Sequence, residues 1–208
     1  MPLRNRVDPW GELHAVPDRG ALMGNRGVLH DADRNIVRPF KLTRWLMCVL
    51  RFRGQRRALM QPNRYTELFF LDEATGFAAG HRPCAECQPK RWREFRDAWR
   101  AANPQHAGGA GFKPADLDAV LHAERWANSA RRLHAVEGAL VPDGAMVALV
   151  GAPHLVVNGV LRPWGFGGYG PPAAMPTSVE MLTPPSVAAV FRAGFVPRGC
   201  NSTHGQSV

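Results

Sequence analysis

The sequence predicts an α+β fold, and three observations support that class. Short apolar stretches typical of strands, such as 65–71 and 145–150, alternate with two longer runs of helical periodicity at 90–103 and 114–133. Glycine and proline interrupt the remaining chain too often for further long helices. Near the middle, two cysteines with Cys-x-x-Cys spacing stand in a turn between a short helix and a longer one. We therefore expect a cysteine-containing module packed with a small C-terminal region of antiparallel strands and helix.

The length and composition bound the class of protein. A chain of 208 residues can bury a core as one large domain or as two small ones. We place the boundary between a basic, β-rich region 1–104 and a second region 105–208, and the two can also form one continuous domain. No apolar run approaches the length of a membrane span, and no apolar stretch typical of a signal peptide follows the first residues. We therefore expect a cytoplasmic protein without a membrane partner.

The first third of the chain predicts strands and loops. Residues 1–33 contain too many glycines and prolines for a helix. Residues 43–54 and 57–60 predict a β-hairpin with its turn at 53–56, because apolar and basic residues alternate with period two near the end of the first segment. Cys48 lies on the first strand of this predicted hairpin.

The middle of the chain predicts a strand followed by two helices. After the strand at 65–71, Asp72 is placed to cap a short helix at 73–79, and Gly80 is the usual left-handed residue that ends a helix. A longer helix at 90–103 has its aromatic residues on one face and most of its arginines on the other.

The C-terminal half predicts a linker, a helix and a small antiparallel sheet. Residues 104–114 are rich in glycine, proline and alanine, and 114–133 predicts a helix. Asn158-Gly159 is a strong signal for a hairpin turn. The remaining predicted elements are strands at 145–150, 154–157, 160–164 and 179–182 and a helix at 187–193.

The charge of the chain indicates a polyanionic partner. The formal net charge is +9, and residues 34–66 carry nine lysines and arginines with no acidic residue. Clustered guanidinium groups pair with phosphates and release counterions, so nucleic acid is the predicted partner. A solvated charged face is the alternative interpretation. The residues predicted to contact nucleic acid are Arg44, Arg51, Arg53, Arg56, Arg57, Arg82 and Arg91.

The cysteines indicate a metal site. Four cysteines in a reducing compartment favour metal binding or catalysis over a disulfide framework. A Cys-x-x-Cys turn can direct Cys84 and Cys87 toward one tetrahedral ion, for which zinc is the expected cofactor. This pair supplies half a site, and ordinary buried thiols without a metal are the alternative.

The residues around Cys84 and Cys87 resemble a known family of metal-binding modules. Residues 70–89 read Phe-Leu-Asp-Glu-Ala-Thr-Gly-Phe-Ala-Ala-Gly-His-Arg-Pro-Cys-Ala-Glu-Cys-Gln-Pro, which resembles the metal-binding module of the Ada methylphosphotriester-DNA repair family. The resemblance covers about 20 contiguous residues, extends loosely over 48–102 and includes none of the C-terminal half. It implies a treble-clef-like zinc module made of a β-hairpin, a short helix, the Cys-x-x-Cys turn and a second helix.

The same resemblance implies the ligands of the zinc ion. Cys84 and Cys87 match the downstream ligand pair of the family, and Cys48 matches an upstream ligand. The second upstream cysteine of the family falls at Phe52 here, so the set of four thiolates is incomplete. An upstream thiolate is also the alkyl acceptor in the family, and this departure leaves methyl transfer to Cys48 unsupported. The candidates for the fourth position are His81, His30, His14, Cys200 and water.

Three functional hypotheses follow. The leading one is a zinc-containing, DNA-binding protein with an Ada-like module, acting in DNA repair or processing. The second is a metal-dependent nuclease or lyase, for which His122 and Glu124 are weak catalytic candidates. The absence of a histidine from the predicted hairpin weighs against a nuclease of the treble-clef kind. The third is a non-enzymatic module whose zinc stabilises a small core that binds another protein.

Overall fold

The structure, a computed structural model, describes residues 1–54, 58–127 and 129–200, and it has a mixed α+β architecture with four α-helices in this part of the chain. The N-terminal half contains β1 (Arg6–Val7), β2 (Leu13–His14), β3 (Leu22–Asn25), β4 (Leu46–Cys48), β5 (Leu68–Phe70), α1 (Glu73–Ala78), β6 (Arg82–Pro83) and α2 (Pro89–Ala102). The C-terminal half contains α3 (Pro114–Arg125), β7 (Trp126–Ala127), β8 (Ala130–Arg131), β9 (His134–Glu137), β10 (Met146–Leu149), β11 (Ala152–Val157), β12 (Val160–Gly165), β13 (Gly168–Tyr169), β14 (Ser178–Met181) and α4 (Pro185–Arg192).

In the first sheet, β4, which ends at Cys48, lies between two strands that are distant from it in sequence. Its strand order is β2-β1-β5-β3-β4-β6, so β4 pairs antiparallel with β3 and parallel with β6. The β-hairpin predicted over 43–60 is wrong within the described residues, because the chain leaves the strand conformation after Cys48 and 58–60 form no strand. The rest of its predicted turn, at 55–56, lies outside the described part of the chain.

The helix α1 has the ends that the sequence predicts. The side chain of Asp72 accepts a hydrogen bond from the backbone N–H of Thr75 at 2.8 Å, which satisfies a donor at the start of the helix. Gly80 follows the helix with φ of 83°, a conformation that costs glycine little. The other Asp72 carboxylate oxygen accepts a hydrogen bond from the Tyr169 hydroxyl at 2.6 Å. The start of α1 is therefore joined to the C-terminal sheet.

The second sheet is antiparallel and contains most of the C-terminal half. Its order is β13-β12-β11-β10-β14-β9. Asn158 and Gly159 have φ values of 51° and 72° in the turn between β11 and β12, as their sequence predicts. The strands and the final helix lie within a few residues of the predicted positions.

One apolar core joins the two halves of the chain. It includes Phe77 of α1 and Phe95 of α2 together with Leu121 of α3 and Val187 of α4, all fully buried. The aromatic face predicted for the helix at 90–103 lies in this core, where Trp92, Phe95 and Trp99 are buried. Residues from both sides of residue 104 therefore contribute to one core.

The helix predicted over 114–133 ends eight residues early. α3 stops at Arg125, Trp126 takes an extended conformation, and β7 and β8 form a short antiparallel pair. The buried guanidinium of Arg125 donates to the backbone carbonyls of Gly80 and Thr43. These contacts with residues distant in sequence accompany the change of direction, which the helical periodicity does not encode.

Candidate metal centre

The structure brings Cys48, Cys84 and Cys87 together. Their Sγ atoms all lie within 4.8 Å of one another, and they form a group that could hold a metal ion. The parallel pairing of β4 with β6 explains the contact, because Leu46 lies opposite Arg82 and Met47 opposite Pro83. Continued by one residue, this register places Cys48 beside Cys84.

The backbone holds the Cys-x-x-Cys turn against β4. The N–H of Cys84 donates to the carbonyl of Met47 at 2.8 Å, and the N–H of Gln88 closes the turn on the carbonyl of Cys84 at 3.1 Å. The Gln88 side-chain amide donates to the same Met47 carbonyl at 3.1 Å. Local hydrogen bonds and one strand pair therefore hold the start of the Cys-x-x-Cys turn next to the end of β4.

The sulfur atoms share hydrogen bonds that favour a thiolate. The pKa of Cys84 is lowered because the thiols of Cys48 and Cys87, and then the backbone N–H groups of Cys87 and Glu86, hydrogen-bond to its sulfur. The pKa of the Cys48 thiol is raised, first by its hydrogen bond to Cys84. One sulfur of the cluster thus carries negative charge readily, which is the form that binds metals.

The cysteines line a cavity of about 600 Å³. Its floor is one face of the first sheet, because the register pairs Met23 with both Cys48 and Phe69, and Asn25 with Leu46. The opposite face, which includes Met47 and Phe70, is buried in the core. The other lining residues are Val49, Leu50, Arg51, Phe52, Leu59, Tyr65, Glu67 and Glu86. Three thiols therefore open on a largely apolar space of small-molecule size.

None of the proposed fourth protein ligands joins the three-cysteine group in the described part of the chain. His81 is fully buried, and its Nε2 accepts a hydrogen bond from Arg26 Nε at 3.2 Å. His30 contacts the Thr66 hydroxyl at 2.7 Å, and His14 contacts Asp8 at 2.8 Å. The sequence candidates from the protein thus have other partners.

Cys200 occupies a different site from the other cysteines. Residues 201–208 lie outside the described residues, but Cys200 itself is half-buried. It packs against the second apolar cluster, which contains Tyr169 and Leu182. Burial, and next the charge of Asp72, raise the pKa of its thiol. Substitution of Cys200 is therefore a suitable control for substitution of the three clustered cysteines.

The predicted nucleic-acid residues fall into three groups. Arg44, Arg51 and Arg53 are exposed, and Arg51 lines the cavity. Arg56 and Arg57 lie outside the described residues. Arg82 and Arg91 are buried, which corrects their prediction as phosphate contacts.

The two buried arginines have carboxylate partners. Arg82 donates to both oxygens of Asp118 at 2.7 and 2.8 Å. Arg91 donates to both oxygens of Glu73 at 3.0 and 2.5 Å. Their charges are neutralised inside the protein, so neither guanidinium is free to bind a phosphate.

The weak catalytic candidates do not form a pair at the cysteines. The Glu124 carboxylate accepts hydrogen bonds from the Ser186 N–H and hydroxyl, the latter at 2.6 Å. His122 packs edge-on against Phe40 and contacts Arg125. Neither residue lines the cavity beside Cys48, and Glu124 instead satisfies a donor at the start of α4.

The polar residues of the cavity were not predicted from the sequence. Glu67 is buried, and its Oε2 accepts a hydrogen bond from the Met60 N–H at 2.8 Å. Tyr65 and Phe69 lie two residues to either side of it and line the same cavity. Their period-two spacing along the predicted strand 65–71 is a signal that they share a face.

Comparisons with protein-family models, with curated proteins and with solved structures found no match to this chain. The resemblance to the Ada family therefore rests on the motif in residues 70–89, and what it implies for function is a proposal. Among the described residues, no helix has both the length and the apolar character needed to cross a membrane.

Proposed function

We propose that this chain is a zinc-binding protein that processes DNA, with an Ada-like metal centre formed by Cys48, Cys84 and Cys87. The observation that carries the proposal is the convergence of three sulfurs within 4.8 Å at the wall of a cavity of about 600 Å³. Tetrahedral zinc with Zn–S bonds of about 2.3 Å requires ligand sulfurs about 3.8 Å apart, which fits this group. Thiolates also favour zinc over the hard cations calcium and magnesium.

The cavity supports a reactive role for the centre over a purely structural one. Three protein ligands leave the fourth tetrahedral position for water or for a substrate atom, as in catalytic zinc sites. Bound zinc would supply a Lewis acid and keep the thiolates deprotonated. The chain itself would supply the apolar walls, with Phe52, Tyr65 and Phe69 able to pack against a base or an alkyl group.

Charge supports DNA as the substrate class. The net charge of +9 favours a polyanion, and Arg44, Arg51 and Arg53 remain exposed and free of carboxylate partners among the described residues. Arg51 lines the cavity, so it can bind a phosphate of the nucleotide that reaches the cysteines. The proposal includes a treble-clef-like zinc module, of which the Cys-x-x-Cys turn and α2 would be parts.

Metal analysis tests the foundation of the proposal. We expect the purified protein to contain about one zinc per chain, measured by elemental analysis and by a colorimetric zinc-release assay. Replacing Cys48, Cys84 or Cys87 by serine should lower the zinc content strongly, whereas Cys200→Ser should leave it unchanged. A content far below one zinc per chain in the unmodified protein would remove the proposed centre.

Salt-dependent binding tests the partner. Fluorescence anisotropy with labelled duplex and single-stranded DNA should show affinity that falls steeply with salt. Each of Arg44→Ala, Arg51→Ala and Arg53→Ala should reduce the slope of log K against log salt by about one if its guanidinium contacts a phosphate. Arg192→Ala, at the end of α4, is the matched control. If the protein does not bind DNA even at low salt, a zinc-stapled protein-interaction module becomes the better interpretation.

The open position also favours a second candidate, a metal-dependent nuclease or lyase. Its acid or base would be Glu67, whose buried carboxylate lines the same cavity, in place of His122 and Glu124. Incubation of zinc-loaded protein with plasmid should then show cleavage that Glu67→Gln abolishes and Glu124→Gln preserves. Intact plasmid under all metal conditions would exclude a nuclease.

A further inference from the structure

A second cavity, of about 640 Å³, is lined by unusually many arginines. It lies between β2, the segment 36–39 and the β7–β8 pair, and it shares no lining residue with the cavity beside the cysteines. Four arginines line it, together with one exposed carboxylate, that of Glu12. These arginines are Arg4, Arg26, Arg38 and Arg131.

Arg26 brings an unpartnered cationic donor to this cavity. The residue is only 2% exposed. Its Nε donates to His81 Nε2 at 3.2 Å and its Nη1 to the carbonyl of Gly11 at 2.8 Å, whereas its buried Nη2 has no hydrogen-bond partner. A buried charged donor without a partner has lost its hydrogen bonds to water and has gained none from the protein. A hydrogen-bond acceptor bound in the cavity would therefore stabilise this group.

The positive charge around Arg26 has little compensation from the protein. Arg125 and Arg131, like Arg26, bond to neutral acceptors, and no salt bridge joins any of the three to a carboxylate in the described ranges. The nearby carboxylate of Asp8 already accepts from the Glu12 N–H and contacts His14. Burial, and then the charge of Arg131, lower the pKa of Arg26 to about 9. The region therefore favours an anion.

Gly11 lets two of these guanidinium groups approach the backbone closely. Its φ of 85° is one that glycine adopts readily. A β-carbon at this position would lie 3.2 Å from Arg26 Nη2, 3.6 Å from the carbonyl oxygen of Ala79 and 3.7 Å from Arg131 Nη1. Both groups thus border the same small space at the wall of the cavity, where two guanidinium groups suit a phosphate.

Three tryptophans form part of the remaining wall. Trp10, Trp45 and Trp126 line the cavity. The guanidinium carbon atoms of Arg26 and Arg125 lie 4.1 and 3.8 Å from the ring centroid of the buried Trp45, so its indole already packs against charged groups. Trp10 and Trp126 are only half-buried. Indole surfaces next to a phosphate-binding group are typical of sites that stack a nucleobase.

We propose that this cavity binds a nucleotide, with its phosphate beside Arg26 and Arg131 and its base against Trp10 and Trp126. The volume suits a ligand of this size. The site is separate from the proposed zinc centre and does not depend on it. The shared chemistry is a phosphorylated nucleoside, either as a free mononucleotide or at the end of a nucleic-acid strand.

Thermal stability and tryptophan fluorescence test this site in the full-length protein. AMP and dTMP should raise Tm and quench fluorescence at constant ionic strength, and they should do so more strongly than adenosine, inorganic phosphate or sulfate at the same concentration. A 5′-phosphorylated trinucleotide distinguishes a strand end from a free nucleotide, and binding of either supports the proposal. No stabilisation by nucleotides, or equal stabilisation by inorganic phosphate, overturns it.

Substitutions test whether the nucleotide binds in this cavity. Arg38→Ala, at the exposed wall, should weaken nucleotide binding about tenfold, because one charge-assisted contact is lost. Arg26→Lys keeps the charge but removes Nη2, and it should weaken binding at least as much. Arg93→Ala, exposed on α2 and outside both cavities, is the matched control, and Cys84→Ser should retain nucleotide binding while losing zinc. Unchanged affinity in the folded Arg38→Ala variant places the nucleotide elsewhere and overturns the assignment.

Discussion

Arg82 and Asp118 form a buried, bidentate ion pair that joins β6 to α3. The two side chains are 4% and 8% exposed, and the Arg82 guanidinium also lies over the ring of Trp92 at 4.2 Å. Arg82 is two residues before Cys84, so this pair anchors the entry to the Cys-x-x-Cys turn against the third helix. It ties the metal-binding part of the chain to its C-terminal half.

We expect Asp118→Asn to destabilise the protein by about 3–5 kcal/mol, because it leaves a buried guanidinium without its counterion. Urea denaturation monitored by circular dichroism measures the change. The double variant Arg82→Met/Asp118→Leu should recover much of the loss, since apolar residues often replace a buried ion pair at little cost. A loss below about 1 kcal/mol in Asp118→Asn would contradict a structural role for the pair.

Glu124 should contribute to stability and leave the metal centre unaffected. Its carboxylate accepts from both the N–H and the hydroxyl of Ser186, and its burial raises its pKa. We expect Glu124→Ala to lower the free energy of unfolding by about 1–3 kcal/mol, because the donors at the start of α4 lose their acceptor. Glu180→Ala, exposed on β14, is the control. Loss of zinc or of DNA binding in folded Glu124→Ala would contradict this assignment.

His81 should make stability depend on pH. Burial, and then the charges of Arg26, Arg125 and Arg131, hold its pKa well below 6.5 in the folded protein. The unfolded chain therefore binds the proton more readily, so the stability from neutral His81 is full above about pH 6.5 and falls as the pH decreases below it. We expect a loss of about 1.4 kcal/mol per pH unit until the folded-state pKa is reached.

The pH effect can be assigned by substitution. His81→Gln keeps an acceptor for Arg26 and should reduce the slope of unfolding free energy against pH between about pH 7.5 and 5.5. His106→Gln, at an exposed position, should keep the slope of the unmodified protein. Equal slopes in all three proteins would show that His81 titrates normally.

Removal of zinc should lower the thermal stability of the protein, and this effect should not require Cys200. If zinc binds the folded chain, free zinc at 100 times its Kd stabilises it by about 2.7 kcal/mol, and EDTA removes this contribution. Differential scanning calorimetry should therefore show a lower Tm after EDTA in the unmodified protein and in Cys200→Ser. Cys84→Ser should start at the lower Tm and show no further response. A Tm unaffected by EDTA in the unmodified protein would contradict this expectation.

The elements that were predictable from sequence depend on local chemistry. Asp72 and Gly80 bracket α1, and Asn158-Gly159 form the turn between β11 and β12, because capping and left-handed conformations are set by the residues themselves. The proximity of Cys84 and Cys87 is equally local. The position of Cys48 beside them depends on the pairing of β4 with β6, which the spacing of the cysteines does not encode.

The parts that were missed depend on partners distant in sequence. The prediction of a hairpin after Cys48 was wrong because β4 pairs instead with β3, at Met23, and with β6, at Arg82. Arginine in a sequence indicates charge and not burial, so Arg82 and Arg91 were assigned to a solvent-facing surface. The acceptors that neutralise them, Asp118 and Glu73, are 36 and 18 residues away.

The hydrogen bond between Tyr169 and Asp72 has a consequence for synthesis of the chain. Asp72 begins the helix that leads into the Cys-x-x-Cys turn, and Trp164 also donates to Thr75 of that helix at 3.0 Å. These two donors emerge from the ribosome long after Cys87. A nascent chain can therefore bring its three thiols together early but cannot complete the support beneath them until most of the protein has been translated.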